Sequence, residues 1–411
     1  MNKILKSLLI PGVVAGAIFG CTNDNPGPDN LPDPIYPVQI PARISEGTNE
    51  FSFNFLHTLQ QTQAPGENLF VSPLSLHMAL GMLLNGAEQE TADEILKALE
   101  MEGVSLADLN NAYKTLINDL PVADSKVNLG LANSLWYKSG FTVKPDFQSV
   151  LKNSFNAEAT GLHFDNAAKD KINQWASDKT NGKIKQVIEE IQPDHVMFLL
   201  NALYFKGDWK YQFDAKNTRD ETFKLENGSG KPVKMMFAKS KYKTLSTEAY
   251  SAVQLPYANG QFNMTLLVPK GQNTVDKMLT NFNASDWENL RKGWPEANIE
   301  VGLPRFTLEY SAQLKQTLEK MGIQKAFTSA AELGKINATA DLFVDFVKQD
   351  TYLGIDEKGT EAAAVTSIGV SVTSAGPNQP IVCDRPFALI ISENTSNTIL
   401  FMGRIKNPES K

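Results

Sequence analysis

GTEAAAVTSIGVSVTSAGPNQP, residues 359–380, is the stretch on which the interpretation of this chain turns. It holds one charged residue and no lysine, arginine or aromatic residue, whereas an exposed loop of this length is normally more polar. In an extended conformation, alternate side chains fall on opposite faces. The face that starts at Thr360 carries no charge and consists of Thr360, Ala362, Ala364, Thr366, Ile368 and Val370. The segment therefore predicts a strand with one face suited to burial.

The first side chains of this predicted strand are small. Small side chains suit a strand that slides between two others already packed, because bulky ones would collide on the way in. The alternative is a permanent strand that follows a turn at Lys358 and Gly359. Three consecutive alanines, residues 362–364, argue against that alternative, because alanine is depleted in fixed strands.

Outside this stretch, most of the helix signals lie in the first half of the chain that follows the N-terminal segment, and most of the strand signals lie in the second half. Helical stripes lie at residues 51–59 and 106–117, and Ser72-Pro73 predicts an N-cap that opens a helix through residue 84. The hairpin signal Asn259-Gly260 separates two apolar runs. Strands are predicted at 127–137, 197–205, 251–256, 262–268, 303–308, 343–355, 388–392 and 398–405, and a helix at 312–321. This order predicts an α+β fold.

Composition and motifs exclude several function classes. The net charge is −7 with a pI near 5.3, which disfavours a nucleic-acid binder. Two cysteines and four scattered histidines give neither a disulfide scaffold nor a metal site, and no cofactor motif occurs. There is no GxSxG motif, and the run 228–231 (GSGK) lacks the remaining residues of a phosphate loop, so it predicts a hairpin turn. These absences disfavour an enzyme.

The N-terminus predicts export. Lys3 and Lys6 precede an apolar run that ends at Cys21 in a sequence resembling a bacterial lipobox. We expect a signal peptide over 1–20, lipid on Cys21, a proline-rich tether over 21–46 and one folded domain over 47–411. The lipid would attach the protein to a membrane of a bacterial envelope, on the periplasmic or surface side. The alternative is ordinary secretory cleavage nearby, with Cys21 incidental.

Five motifs, in order and spacing, resemble the serpin family. They are DEKGTEAAA at 356–364, NALYFKGDW at 201–209, NLFVSPLS at 68–75, DRPF at 384–387 and FMGRIKNP at 401–408. The resemblance covers residues 50–408. It implies about nine helices around three β-sheets, with an exposed reactive-centre loop. It further implies a monomeric suicide-substrate inhibitor: a protease of the serine or cysteine class cleaves the loop as an acyl-enzyme, and the loop then inserts into the main sheet.

The family's spacing places the reactive bond at Thr373-Ser374, within a window from Val372 to Ala375. That window offers no basic or large aromatic side chain, so trypsin-like and chymotrypsin-like proteases fit poorly. Elastase-like enzymes, or others with a small apolar pocket, fit better.

The resemblance assigns three groups of site residues. The hinge is Glu357, Gly359, Thr360, Glu361, Ala362, Ala363 and Ala364. The shutter, which holds the sheet closed, is Ser72, Ser75, Asn201 and Gln349. Gln349 stands where the family often has histidine, which makes a pH-dependent shutter doubtful. The breach is Trp209 with an ion pair between Arg305 and Glu357. The alternatives are that Trp209 is simply a core residue and Arg305 a solvated one.

Two other functions remain open. Some serpins do not inhibit, and their hinges carry proline, charge or bulk. The inward-facing hinge positions here carry none of these. The other possibility is a surface-anchored binding lipoprotein, for which the five tryptophans (Trp136, Trp175, Trp209, Trp287 and Trp294) would line a site, although most tryptophans in a chain of this size belong to the core.

Overall fold

The computed structural model describes residues 34–64, 66–360 and 379–409. Within these ranges the chain forms nine α-helices: α1 Ala42–Thr62, α2 Pro73–Gly86, α3 Gln89–Ala98, α4 Leu106–Asp119, α5 Pro145–Phe155, α6 Asn166–Lys179, α7 Val275–Thr280, α8 Ala284–Lys292 and α9 Lys315–Lys320. None of the helices in the described ranges is long and apolar enough to cross a bilayer.

The strands, in chain order, are β1 Leu69–Val71, β2 Val127–Lys138, β3 Glu158–Leu162, β4 Met197–Asp208, β5 Arg219–Lys224, β6 Gly230–Ser246, β7 Tyr250–Pro256, β8 Phe262–Pro269, β9 Glu296–Pro304, β10 Phe306–Gln313, β11 Lys348–Ile355, β12 Gly359–Thr360, β13 Ile381–Val382, β14 Phe387–Glu393 and β15 Ile399–Ile405. The mixture of helices and largely antiparallel strands confirms the predicted α+β class.

The strands form two hydrogen-bonded sheets. The main sheet has six strands in the order β10-β11-β12-β4-β2-β3, all antiparallel except the pair β2–β3. The second sheet has nine strands, β1-β15-β14-β8-β7-β6-β9-β13, with β5 beside β6. Strand β6 is 17 residues long and pairs with β5, β9 and β7 along its length. It therefore joins into one sheet what the resemblance implied as two.

Helix α2 lies between the two sheets, in contact with β4 and β15. Its first turn forms as the sequence predicts: the Ser72 side chain accepts the backbone N–H of Ser75, and Pro73 occupies the first helical position. Almost every residue of α2 is buried, which fits a helix that is apolar on all sides. The central helix thus forms the back wall of the main sheet.

The secondary-structure predictions differ from the structure in four places. The strand predicted at 303–308 is two strands in different sheets, because the chain turns at Arg305, whose N–H bonds Lys234. The strand predicted at 343–355 begins only at Lys348, since residues 343–347 form no strand ladder and the Val344 N–H donates instead to the carbonyl of Ala326. The helix predicted at 312–321 begins only at Lys315, because residues 312 and 313 belong to β10. Residues 42–46, assigned to the tether, begin α1.

A buried histidine ties α2 to α4. Tyr113 Oη lies 2.8 Å from His77 Nδ1, and His77 Nε2 lies 3.1 Å from the carbonyl oxygen of Leu99. A neutral imidazole with its proton on Nε2 satisfies both contacts, since Nδ1 then accepts from the tyrosine. Burial without a carboxylate partner lowers the pKa of His77 to about 4.

This histidine predicts acid sensitivity. The unfolded chain takes up the proton near pH 6.5 and the folded chain only near pH 4, so the free energy of unfolding falls as pH drops through that window. The loss from this group is up to about 3 kcal/mol. The free energy of unfolding is measured by urea titration at several pH values between 7 and 4. Its dependence on pH should be weaker in His77→Gln than in the wild type. His163→Gln, at an exposed position, is the control and should leave this dependence unchanged. An unaltered dependence in His77→Gln contradicts the assignment.

Candidate functional site

The predicted hinge begins inside the main sheet. After β11, the chain turns and returns as the two-residue strand β12, in which Gly359 pairs with Asp208 of β4 and Thr360 with Ile355 of β11. The Asp356 carboxylate accepts the N–H groups of Lys358 at 2.8 Å and Gly359 at 3.2 Å, which fixes the turn. The first two residues of the stretch 359–380 therefore lie between β11 and β4.

Both residues of β12 fit their positions closely. A Cβ on Gly359 would collide with the backbone carbonyl oxygen of Gly207, so the approach of the two strands requires glycine here. Thr360 is 3% exposed, and its hydroxyl lies 2.6 Å from the hydroxyl of Tyr257. Burial raises the pKa of Tyr257, so this phenol stays protonated.

Trp209 anchors the turn before β12. Its backbone N–H donates to the carbonyl of Lys358 at 2.7 Å, and its indole Nε1–H donates to the carbonyl of Asp356 at 3.0 Å. The indole stacks on Tyr257 with ring centroids 4.5 Å apart. Trp209 is thus a core residue that also bonds directly to the hinge turn.

Arg305 and Glu357 lie within ion-pair distance, with Arg305 Nη1 3.4 Å from Glu357 Oε1. The same oxygen accepts from the hydroxyl of Thr218 at 2.8 Å, and the Glu357 carbonyl accepts the N–H of Phe213. Because the Arg305 side chain is 45% exposed, the ion pair contributes at most about 1 kcal/mol. The backbone contacts of Trp209 and Phe213 hold the turn more firmly than the charges do.

Three of the four predicted shutter residues meet at the start of α2. The Gln349 amide bonds the Ser72 backbone twice: its Oε1 accepts the Ser72 N–H at 3.0 Å and its Nε2 donates to the Ser72 carbonyl at 2.9 Å. The Ser72 hydroxyl donates to the carbonyl of Leu400 and accepts from the N–H of Ser75. Gln349 therefore fastens β11 to the helix behind it.

The fourth shutter residue, Asn201, points elsewhere. Its Nδ2 donates to Asn133 Oδ1 at 2.6 Å, and Asn133 Nδ2 donates to the carbonyl of Phe155. Among the described residues, Asn201 Oδ1 has no hydrogen-bond partner. The predicted shutter is thus divided, with Gln349 bonded on the β11 side and Asn201 on the β4 side.

A gap separates these two halves. Within the described part of the chain, β4 and β11 do not pair with each other; on the edges that face each other, both pair only with β12, at one end. Below β12 lies a cavity of about 410 Å³ between the two strands, with α2 behind it and Trp175 of α6 in front. Among the described residues, the main sheet is therefore joined by β12 at one end of the gap, and no strand pairs with β4 and β11 along the rest of it.

The segment that follows α6, residues 183–195, touches β11 and the residues before it at three points. Lys183 Nζ lies 4.5 Å from the centre of the Tyr352 ring, and Lys348 Nζ lies 3.5 Å from a Glu189 carboxylate oxygen. At the lower end, His195 Nε2 is 3.0 Å from Asp345 Oδ2. We call this segment the front strap.

Sequence reasoning missed two residues of the site, Tyr257 and His195. Tyr257 lies two residues before Asn259, so it is adjacent to the predicted hairpin turn, but the sequence does not reveal that it bonds Thr360. His195 lies in no motif, and only folding brings it to Asp345, 150 residues away in sequence.

Several predicted residues lie outside the described ranges. They are Cys21, the hinge residues Glu361, Ala362, Ala363 and Ala364, and the window Val372, Thr373, Ser374 and Ala375. In the ranges that are described, no group of three histidine, cysteine or acidic side chains is arranged to hold a metal ion. Cys383 is fully buried, and burial raises the pKa of its thiol, which disfavours the reactive thiolate. The chemistry that the site offers is backbone pairing.

Comparison with known proteins agrees with this geometry. The model of the family described as serpin (serine protease inhibitor) matches residues 46–408. The leukocyte elastase inhibitor of Bos taurus is 30% identical over 384 residues, covering 89% of this chain and all of the relative. The thermophilic serpin Tengpin in its native state superposes with a TM-score of 0.83 at 28% identity, covering 91% of this chain and 97% of the other. Thyroxine-binding globulin in complex with thyroxine superposes with a TM-score of 0.81 at 26% identity, covering 90% of this chain and 100% of the other. This chain therefore belongs to the serpin family.

Proposed function

We propose that this serpin is a suicide-substrate inhibitor that traps a protease by inserting its cleaved reactive-centre loop between β4 and β11. The observation that carries the proposal is β12. Gly359 and Thr360 occupy the first two positions of a strand between β4 and β11, and below them these two strands do not pair within the described residues.

Backbone pairing is the driving force of the proposed insertion. Residues 359–373 would extend roughly 50 Å at about 3.3 Å per residue. About a dozen new ladder hydrogen bonds, each worth about 1 kcal/mol net, would make insertion strongly favourable. Burial of Ile368 and Val370 would add about 1.5–3 kcal/mol each. The uncharged face that begins at Thr360 suits the apolar lining of the gap.

The trapping step requires covalent attachment before insertion. A serine protease attacks the carbonyl carbon of Thr373, the amide bond to Ser374 breaks, and the new amine at Ser374 departs. An ester then links Thr373 to the protease. If the loop inserts before water hydrolyses that ester, the protease is carried along the sheet and its active site is distorted.

The window 372–375 favours a target with a small apolar specificity pocket, since all four side chains are small or β-branched. The leukocyte elastase inhibitors among the relatives support an elastase-like serine protease. A cysteine protease with a similar pocket is the second possibility.

The N-terminus places the inhibitor at a membrane in this proposal. Lipid on Cys21 and a proline-rich tether would hold the domain at the surface of a bacterial envelope, as a monomer, with the loop accessible to proteases there. Export and lipid attachment rest on the sequence of residues 1–21 alone.

A second candidate is a non-inhibitory binding protein. The fold is similar to that of thyroxine-binding globulin, which is described in complex with thyroxine, and the cavity behind the front strap is large enough for a small ligand. The two functions differ in whether cleavage of the loop leads to a covalent complex.

Incubation with an elastase-like protease should give a complex that survives boiling in SDS, because an ester joins the two chains. Its mass should be that of the protease plus the inhibitor without its C-terminal fragment, and sequencing that fragment should give an N-terminus at residues 373–376. The loop-cleaved protein alone should unfold at a markedly higher temperature than the intact protein. Two fragments without a complex, and no gain in thermal stability, contradict the mechanism.

Thr360→Arg should convert the inhibitor into a substrate. Thr360 is buried between β4 and β11, so a guanidinium there would be desolvated and would displace β12, and insertion, which continues from β12, would slow. We expect at least a tenfold rise in the number of inhibitor molecules cleaved per protease trapped. Thr328→Arg, at an exposed threonine, is the matched control and should inhibit normally. Unchanged inhibition by Thr360→Arg would refute the insertion path.

Cys21→Ser should release the protein from the membrane fraction, because serine cannot receive the thioether-linked lipid. Metabolic labelling with a radioactive fatty acid should mark the wild type and not the variant, and Cys383→Ser should be labelled normally. A labelled Cys21→Ser protein, or an unlabelled wild type, would exclude the proposed anchor.

A further inference from the structure

The three most exposed large apolar side chains in the described ranges lie in two short segments that are bonded to the same turn. They are Ile35, Tyr36 and Val122, whose side chains are 55%, 57% and 66% exposed. Single exposed apolar residues are common on protein surfaces, whereas a group of them marks a contact surface. We call these three residues the N-terminal patch.

The turn between β7 and β8 connects the two segments of the patch. The backbone N–H of Asn259 donates to Asp124 Oδ2 at 3.1 Å, and the Asn259 side chain donates from Nδ2 to the carbonyl of Pro34 at 3.1 Å. Pro34 directly precedes Ile35, and Asp124 follows Val122 by two residues. One asparagine therefore holds both segments that carry the patch.

The segment that carries Ile35 and Tyr36 is fixed to the body of the protein. Gln261 bonds both backbone groups of Tyr36: its Oε1 accepts the N–H at 3.3 Å, and its Nε2 donates to the carbonyl at 2.7 Å. The Val38 N–H donates to the Thr395 hydroxyl at 2.8 Å, and the Val38 side chain is fully buried. The backbone is thus anchored while the Ile35 and Tyr36 side chains face water. Their burial against another surface would be favourable.

The composition of the patch favours a lipid bilayer as that surface. Residues 34–41 (PIYPVQIP) carry no charge. A tyrosine beside an aliphatic residue suits the water–lipid interface, where the ring is buried and the hydroxyl stays hydrated. Lys210, whose ammonium group lies beside Gly260 of the same turn, is a cation and is compatible with phospholipid phosphates.

The length of the preceding chain keeps the patch near the membrane. Twelve residues, 22–33, separate the predicted lipidation site Cys21 from Pro34, and twelve residues span at most about 40 Å. The patch begins at the next residue, so it lies at the point where the tether joins the folded domain. This step rests on the lipid anchor of the proposed function.

We infer that Ile35, Tyr36 and Val122 enter the interfacial region of the bilayer that carries the lipid of Cys21. The lipid supplies the attachment, and the N-terminal patch sets the orientation. The domain is held with its β7–β8 turn toward the membrane.

Tryptophan fluorescence in vesicles tests this contact. Full-length protein from the membrane fraction, carrying Tyr36→Trp, is reconstituted into phosphatidylethanolamine–phosphatidylglycerol vesicles with or without phospholipid brominated in its acyl chains, which quenches an indole that enters the bilayer. The indole added by Tyr36→Trp should be quenched at least three times as strongly as that added by Ser329→Trp, an exposed position outside the patch. The wild type supplies the background, since four of its five tryptophans are at most 7% exposed.

Adding Ile35→Asp and Val122→Asp to Tyr36→Trp should lower the quenching to that of Ser329→Trp, because carboxylates oppose entry into the interface. Equal quenching at positions 36 and 329, or quenching that the two aspartates leave unchanged, overturns the inference. Emission typical of a buried indole from Tyr36→Trp before vesicles are added also overturns it, because another part of the chain or a second copy would then cover the patch.

Failure of the lipid anchor is recognised separately. If fatty-acid labelling of the wild type fails, the same variants, produced as the chain that begins at Cys21, are attached to vesicles through Cys21 with a maleimide phospholipid. Cys383 is fully buried and does not compete for the reagent. Quenching at position 36 in that preparation supports the patch and rejects the lipidation. Absence of quenching in protein whose Cys21 carries fatty acid rejects the patch and leaves the lipidation.

Discussion

The pairing of β4 and β11 with Gly359 and Thr360 is the constraint on which the rest of the described site depends. Two long strands of one sheet are joined at their upper end by Gly359 and Thr360 and are separated by a cavity below. Within the described residues, the edges of β4 and β11 that face the gap have strand partners only at β12, although backbone N–H and C=O groups require partners. The proposed insertion would supply those partners.

The contacts around β12 are of two kinds. One kind fixes the turn before β12 and Thr360, and the other attaches β11 and β4 separately to neighbouring elements. Trp209 and Tyr257 bond the turn and Thr360 from the β4 side, and a shift in either would move the start of the strand. Gln349 fastens β11 to α2, while Asn201 is bonded within the β4 side. Each half of the sheet thus has its own polar anchor, and β12 joins the two halves by pairing with both β4 and β11.

Helix α6 and the front strap form a layer on one face of the main sheet, next to the gap. Trp136, Trp175, Ile188 and Phe198 form a small apolar cluster apart from the main core, and Phe346 joins it from the segment before β11. Because α6 and the front strap are attached through this small cluster and a few exposed charge contacts, they are held more weakly than the core strands.

Local sequence was sufficient for the elements that pack by simple periodicity. The N-cap at Ser72, the apolar run of β4 and the Asn259-Gly260 hairpin follow from side-chain chemistry within a few residues, and Gly359 and Thr360 begin a strand as the pattern of that segment predicts. The division of 303–308 at Arg305, the Tyr257–Thr360 bond and the partner of Asn201 needed the tertiary structure. They depend on which strands become neighbours, and residues more than 60 positions apart meet only when long-range packing has set the register.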